Sequence, residues 1–250
     1  ALATDETVLA RFWREADAAR KIDSPHVTRF LDRGKDEGSG LPFLVMELLE
    51  GEDAQQLLDR LGPLSPDLAV RIALQVLDGL AIAHDKGVVH RDIKPANIFL
   101  VETPEGRSVK LLDFGVAKFK MEEASRTDNE VLTRTGSVLG SPMYMSPEQA
   151  RGLKSIDLRA DLWSLGVVLY KLLSGQTPYG DIDGLGELIL AICTAPPEPV
   201  SVVAPWVPKA LSDAMSKVLQ LAPDDRYQSS AEFAAALEAV YPERGEAARV

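Results

Sequence analysis

Residues 90–97 read His-Arg-Asp-Ile-Lys-Pro-Ala-Asn, and their position constrains the chain more than any other feature. Before them, Leu68, Ile72, Val76, Leu80 and Ala83 recur at helical spacing from Ser65-Pro66 to a stop at Gly87. Ser65 suits the N-cap and Pro66 the first turn. After them come two short apolar runs, Ile98–Val101 and Val109–Leu112, with a turn expected over Thr103–Ser108. The charged run is therefore a loop between a long helix and a hairpin. Asp113-Phe114-Gly115 follows the second strand directly, and Ser146-Pro147-Glu148 stands farther on.

The flanks differ in character. Residues 5–22 carry Val8, Leu9, Phe12, Ala16 and Ala19 at three- and four-residue steps, which predicts an amphipathic helix ended by Ser24-Pro25. Val27–Leu31 and Phe43–Leu48 read as strands joined by the polar loop Asp32–Gly40. A short helix is expected over Ala54–Leu61, ended by Gly62-Pro63. Residues 120–134 are polar and aperiodic, and a loop of that length inside a domain is usually functional or disordered. Beyond it, helices are expected over Leu158–Leu173 (closed by Gly175), Leu185–Cys193, Pro208–Leu219 and Ser229–Val240. Ser229 and Glu232 carry capping-box spacing. There is no internal repeat and no linker. A small β-containing front and a helical back predict two lobes.

Composition excludes several functions. With 46% hydrophobic and 26% charged residues among 250, the chain can bury a full core, and it lacks the bias of a disordered segment. A single cysteine, Cys193, forms no internal disulfide and no cysteine-built metal site. The three histidines His26, His84 and His90 lack zincin spacing. A net charge of −11 with no basic run argues against nucleic acid, and no stretch of 18 apolar residues reads as a membrane span.

Together, the His-Arg-Asp-x-Lys-x-x-Asn loop, Asp-Phe-Gly after a strand and the later Ser-Pro-Glu match the protein-kinase signature set in order and spacing. A chance occurrence of the first motif in such a chain has a probability of about one in ten thousand. From Leu9 to Val240 the chain resembles the eukaryotic-like (Hanks-type) serine/threonine protein kinases, and Gly140-Ser-Pro-Met-Tyr-Met-Ser-Pro-Glu-Gln-Ala-Arg-Gly152 looks like the bacterial branch. The resemblance implies an α+β, bilobal fold. Residues 1–50 would form a partial N-lobe, with its helix and about two strands, and residues 51–250 a complete, mainly helical C-lobe.

It also implies a chemistry, transfer of the γ-phosphoryl group of magnesium-ATP to serine or threonine hydroxyls of protein substrates. Such transfer needs positioning and charge neutralisation more than covalent help. Asp92 would accept the hydroxyl proton, Lys94 would place a positive charge near the transferring group, and Asn97 and Asp113 would be hard oxygen ligands for Mg2+. Lysine two places after the aspartate marks serine/threonine rather than tyrosine specificity in the family. Adenine would lie against Met46, the gatekeeper, the Glu47 carbonyl and Leu49 amide of the hinge, and Phe99 beneath the ring. Structural roles fall on Ser141, facing the catalytic aspartate, on Asp161 under the catalytic loop and on the ion pair Glu148–Arg226. His84 and His90 align with scaffold positions. Thr133 and Thr135 match an autophosphorylation pair, whose phosphate Arg91 is suited to hold, with self-association as its route. The same loop also carries Ser125, Thr127 and Ser137. A cytoplasmic location is expected, and a membrane tether outside the chain is compatible with it.

The family's glycine-rich loop and phosphate-pairing strand lysine have no counterpart here, and Glu15, which aligns with the lysine's helix partner, has none to pair. Two explanations stand. One is a truncated form of an active kinase, and the other is a pseudokinase serving as a scaffold. Retention of Asp92, Lys94, Asn97 and Asp113 favours the first, and the 250 residues alone are expected to bind magnesium-ATP poorly.

Overall fold

The computed structural model describes residues 13, 16–104, 106–114 and 142–241. Glu15, Ser125, Thr127, Thr133, Thr135, Ser137 and Ser141 lie outside the described residues, as does most of the expected helix 5–22. Residues 16–19 are helical.

A two-stranded antiparallel sheet forms the front, β1 (Phe30–Lys35) against β2 (Pro42–Met46), with Arg33 opposite Leu44. The turn between them is closed by Asp36, whose carboxylate accepts from the Ser39 amide and hydroxyl. The first strand starts later than the sequence predicts, and the physical reason is competition. His26 to Thr28 pair instead with the back sheet. The Leu111 amide donates to the His26 carbonyl and the Thr28 amide to the Leu111 carbonyl, each at 2.9 Å.

The back sheet runs β3 (Gly51–Asp53), β4 (Ile98–Thr103), β5 (Gly106–Leu111), all antiparallel, with Leu100 opposite Val109 and Ile98 opposite Leu111. The strands extend to Thr103 opposite Gly106, so the turn is tighter than predicted. Gly51, at φ 145°, is required, because a Cβ there would meet the Leu100 carbonyl oxygen.

Helix α1 (Ala54–Leu61) starts on a full capping box. The Asp53 carboxylate accepts from the Gln55 and Gln56 amides, and Gln56 accepts from the Asp53 amide. Such a cap contributes about 1 kcal/mol. Helix α2 (Pro66–Asp85) begins as expected on Ser65 and Pro66 and buries Ala69, Ile72, Ala73, Val76 and Leu80. After it come α3 (Pro147–Ala150), α4 (Arg159–Ser174), α5 (Leu185–Thr194), α6 (Val200–Val203), α7 (Lys209–Val218) and α8 (Ser230–Val240).

Helix α4 is the axis of the molecule. Leu162, Trp163, Leu165, Val167, Val168 and Leu169 are all buried, and Gly175 ends it in the left-handed conformation at φ 83°. Ser229 caps α8 by accepting from the Glu232 amide, but the reciprocal bond differs from the predicted box. The Glu232 carboxylate reaches the Gln228 amide. Among the described residues nearly all core side chains follow residue 53, with only Ala16, Ile22 and Val27 contributed from before it. No described helix is long and apolar enough to cross a membrane.

Candidate active site

Helix α2 and strand β4 hold the 90–97 loop at its two ends, and buried polar groups set its shape. Asp161, in the first turn of α4, is fully buried and accepts three hydrogen bonds: from the His90 amide (2.8 Å), the Arg91 amide (2.7 Å) and His84 Nε2 (2.9 Å). Three donors satisfy a carboxylate that would otherwise carry a large desolvation cost. His84 also meets the Ser230 hydroxyl through Nδ1 at 3.0 Å, which ties the loop to α8.

His90 is fully buried. Its Nε2 lies 2.7 Å from the Leu112 carbonyl and so carries the proton, leaving Nδ1 to accept from the Asp92 amide at 3.3 Å. Its ring meets Phe114 edge-on at 4.5 Å. One imidazole thus joins the loop to the segment carrying Asp113.

The three expected catalytic side chains come together. Lys94 Nζ lies 2.7 Å from Asp92 Oδ2. Asn97 Nδ2 donates to the Asp92 carbonyl at 2.8 Å and to Asp92 Oδ2 at 3.2 Å. Pro95–Asn97 form one 3-10 turn. The Asn97 carbonyl accepts from the Leu112 amide at 2.9 Å, which brings the backbone before Asp113 alongside. Both donors to the Asp92 carboxylate fall on Oδ2, so among the described residues Oδ1 is left to accept. With Asn97 Nδ2 committed to Asp92, its amide oxygen likewise faces no described donor.

Backbone strain marks the same place. Arg91 (φ 69°) and Asp113 (φ 59°) are the positive-φ residues other than glycine among those described. Such conformations cost about 1–3 kcal/mol and persist only where the surroundings over-determine them.

The hinge segment follows β2. The Glu47 amide donates to the Arg29 carbonyl at 3.0 Å, while its carboxylate accepts from the Arg29 amide (2.7 Å) and Lys110 Nζ (2.6 Å). Burial alone would raise the Glu47 carboxyl. The hydrogen bonds from Lys110 and Arg29 and the Lys110 charge outweigh it and hold the group below the ordinary carboxylate value. Neither the Glu47 carbonyl nor the Leu49 amide has a hydrogen-bond partner among the described residues. Met46 lines a cleft with Phe30, Leu44, Leu111, Asp113 and Phe114. Phe99 lies on β4, opposite Lys110 of β5 and Asp53 of β3.

The remaining structural pair is built as expected. Arg226 and Glu148 form a buried bidentate bridge at 2.9 Å on each arm. Two residues near the site escaped the sequence reading. Gln149 donates to the Arg91 carbonyl at 2.9 Å, and its Ser146-x-x-Gln149 capping box was a readable signal. Lys110 carries no local signal, since alternation on β5 says only that it lies on the other face of the strand from buried Val109.

Comparison with known proteins agrees with this geometry. Residues 2–239 match the protein kinase domain family. The chain is 41% identical over 249 residues to serine/threonine-protein kinase pkn3 of Myxococcus xanthus, covering 97% of this chain and 44% of that protein. It is 35% identical over 242 residues to serine/threonine-protein kinase PknB of Mycobacterium leprae, covering 94% and 36%. The chain thus spans less than half the length of these curated relatives. Among solved structures it superposes on the Mycobacterium tuberculosis PknI kinase domain with a TM-score of 0.70, at 28% identity over 95% of this chain and 81% of that one. The chain belongs to the protein kinase domain family.

Proposed function

We propose that this chain is the catalytic domain, or most of it, of a serine/threonine protein kinase, with residues 1–50 as part of the N-lobe and 51–250 as the C-lobe. The observation that carries the reading is the hydrogen-bonded group Asp92, Lys94 and Asn97 beside Asp113. Among the described residues no cluster of three His, Cys, Asp or Glu side chains forms a self-sufficient metal cage. A pair of oxygen donors, Asp113 and the Asn97 amide oxygen, fits Mg2+ that arrives with the nucleotide and keeps phosphate oxygens as ligands. When bound, magnesium-ATP supplies the phosphoryl group and neutralises the charge that develops on it.

The protein's own groups orient and accept. Asp92 Oδ1, free of Lys94 and Asn97, takes the proton of the substrate hydroxyl and aligns its oxygen. Lys94, held against Oδ2, contributes positive charge where the transferring group passes. The Glu47 carbonyl and Leu49 amide offer an acceptor and a donor to the adenine edge, between Met46 and Phe99. Lys94 also supports serine or threonine as the acceptor. Thr133 and Thr135 are proposed phosphorylation sites reached by self-association, and Arg91 is their phosphate partner. Its Nε is buried without a hydrogen-bond partner, which leaves a donor to use. Glu15 and Ser141 keep the structural roles that the family assigns to their positions. A cytoplasmic site of action is proposed with protein substrates there.

Asp92→Ala in the full-length protein should lower kcat about 10²–10⁴-fold while nucleotide affinity stays near wild type. Single-turnover transfer together with calorimetric nucleotide binding measures both. Full activity in that variant would overturn the assignment.

A further inference from the structure

The peptide unit that leads into Asp92 is gripped at both ends. Its carbonyl, on Arg91, accepts from Gln149 Nε2 at 2.9 Å. Its amide, on Asp92, donates to His90 Nδ1 at 3.3 Å. The preceding peptide is gripped too, since the Arg91 amide donates to Asp161 Oδ1 at 2.7 Å. Arg91 between them holds φ at 69°, a conformation that its side chain disfavours. Two of the three partners follow from motifs already described. Gln149 does not.

The Gln149 amide has one orientation available. It is 4% exposed, and its Oε1 accepts from the Ser146 amide at 3.0 Å and hydroxyl at 3.1 Å. With the oxygen so occupied, the nitrogen must face the Arg91 carbonyl. Without that donor the partly buried carbonyl would lose its side-chain partner, and the strained peptide would gain by rotating toward the ordinary region. Rotation about the Arg91 Cα swings the Asp92 Cα and carries the carboxylate with it.

We propose that Gln149 is a positioning residue for Asp92, acting through the plane of the Arg91–Asp92 peptide. The inference rests on the reading of Asp92 as the group that orients the substrate hydroxyl. It makes α3, the short helix bearing Glu148, part of the apparatus that aims the carboxylate. Glu148 and Gln149 then divide the labour of one turn: the first anchors α3 to Arg226, the second transmits that anchorage to the loop.

The test uses the full-length protein with magnesium-ATP and dephosphorylated casein as acceptor. Gln149→Met removes the donor at nearly constant volume. It should lower kcat about tenfold or more, since a displacement of about 1 Å at a reacting group costs up to about 10²-fold. KM for magnesium-ATP should stay within about twofold. Leu237→Ala, in the buried face of α8 far along the chain, provides a destabilised control whose kcat at a temperature well below its Tm should match wild type. Gln149→Glu keeps an oxygen for the Ser146 donors but sets a carboxylate against the carbonyl, so it should fail to rescue. If the methionine variant does not fold, this variant carries the same test.

A wild-type kcat in either folded Gln149 variant would overturn the proposal. So would a kcat loss no larger than that of Leu237→Ala at matched Tm. Asp92→Ala in the same assay separates the two levels of the argument. Turnover kept in that variant overturns the site reading beneath the inference, whereas turnover lost there and kept in the Gln149 variants overturns the role of Gln149 alone.

Discussion

Arg226 shows how one buried charge is made tolerable. Its five N–H groups find five acceptors: the two Glu148 oxygens and the carbonyls of Arg159, Gln220 and Leu221. The guanidinium also lies over the Trp163 ring, 4.9 Å from its centre. Arginine suits this place because its planar fork matches a carboxylate bidentately while its edges serve carbonyls. Arg226→Met should therefore destabilise the protein by about 3–5 kcal/mol, because it strands a buried carboxylate together with three carbonyls. Glu148→Gln, which keeps an oxygen for the guanidinium and leaves the carbonyl bonds in place, should cost less. Urea denaturation midpoints of the two variants check the order, and an equal or reversed order would refute this account. Neither residue could be assigned to this pair by spacing alone, since 78 positions separate them. Family resemblance paired them, and burial explains why the pair is needed.

At the scale of elements, the informative residues are glycines whose helices meet different surroundings. Gly79 in α2 faces the chain at His26, where a Cβ would lie 2.9 Å from the backbone carbonyl. That carbonyl accepts the Leu111 amide, so the close approach is what lets residues 26–28 pair with β5. Gly186, in the first turn of α5, has nothing within 4 Å of the corresponding position. Alanine is favoured over glycine in a helix by up to about 1 kcal/mol. Gly186→Ala should gain part of that, whereas Gly79→Ala should lose about 1–3 kcal/mol through overpacking against a backbone that cannot yield. Thermal melts of the two variants should move in opposite directions, and a rise in both would show that the α2 contact is soft. In the sequence both are single glycines inside helical stretches, with nothing local to tell them apart. Helix ends, by contrast, were legible to within a residue or two because Ser65, Pro66, Gly62 and Gly175 act on their own backbone.

At the scale of the whole molecule, the clasp at Glu47 links three regions: the chain at Arg29, the hinge, and Lys110 of the back sheet. The carboxyl is held below its ordinary value, so folding favours its ionised form. Above the unfolded value of about 4.3 the group is ionised in both states and the clasp contributes fully. Its contribution falls away as pH drops through the lower, folded value. Lys110→Met should therefore be less stable than wild type at pH 7, and the gap should narrow progressively below about pH 4. Denaturation midpoints across that range measure the gap, and a constant difference would mean that Lys110 acts through packing alone. The same variant tests whether the front sheet depends on the back, since β1 and β2 are attached mainly through the 26–28 segment, the cleft and this clasp.

What the sequence by itself determined is local in its physics. Apolar spacing and caps placed α1, α2, α4 and α8, because helical hydrogen bonds and capping close within a few residues. The 90–97 and 113–115 motifs named Asp92, Lys94, Asn97 and Asp113, because three of them share one loop and the fourth follows one strand. Only the tertiary structure decided that residues 26–28 would leave their own strand for β5, since an edge accepts whichever segment other contacts bring to it. Only it showed that Gln149 joins Asp161 and His90 on two peptides beside Asp92. Gln149 and Asp161 stand 58 to 71 residues along the chain from the loop residues they hold, separations that carry no periodicity, and the need for a partner appears only once the strained backbone at Arg91 is packed against α3 and α4.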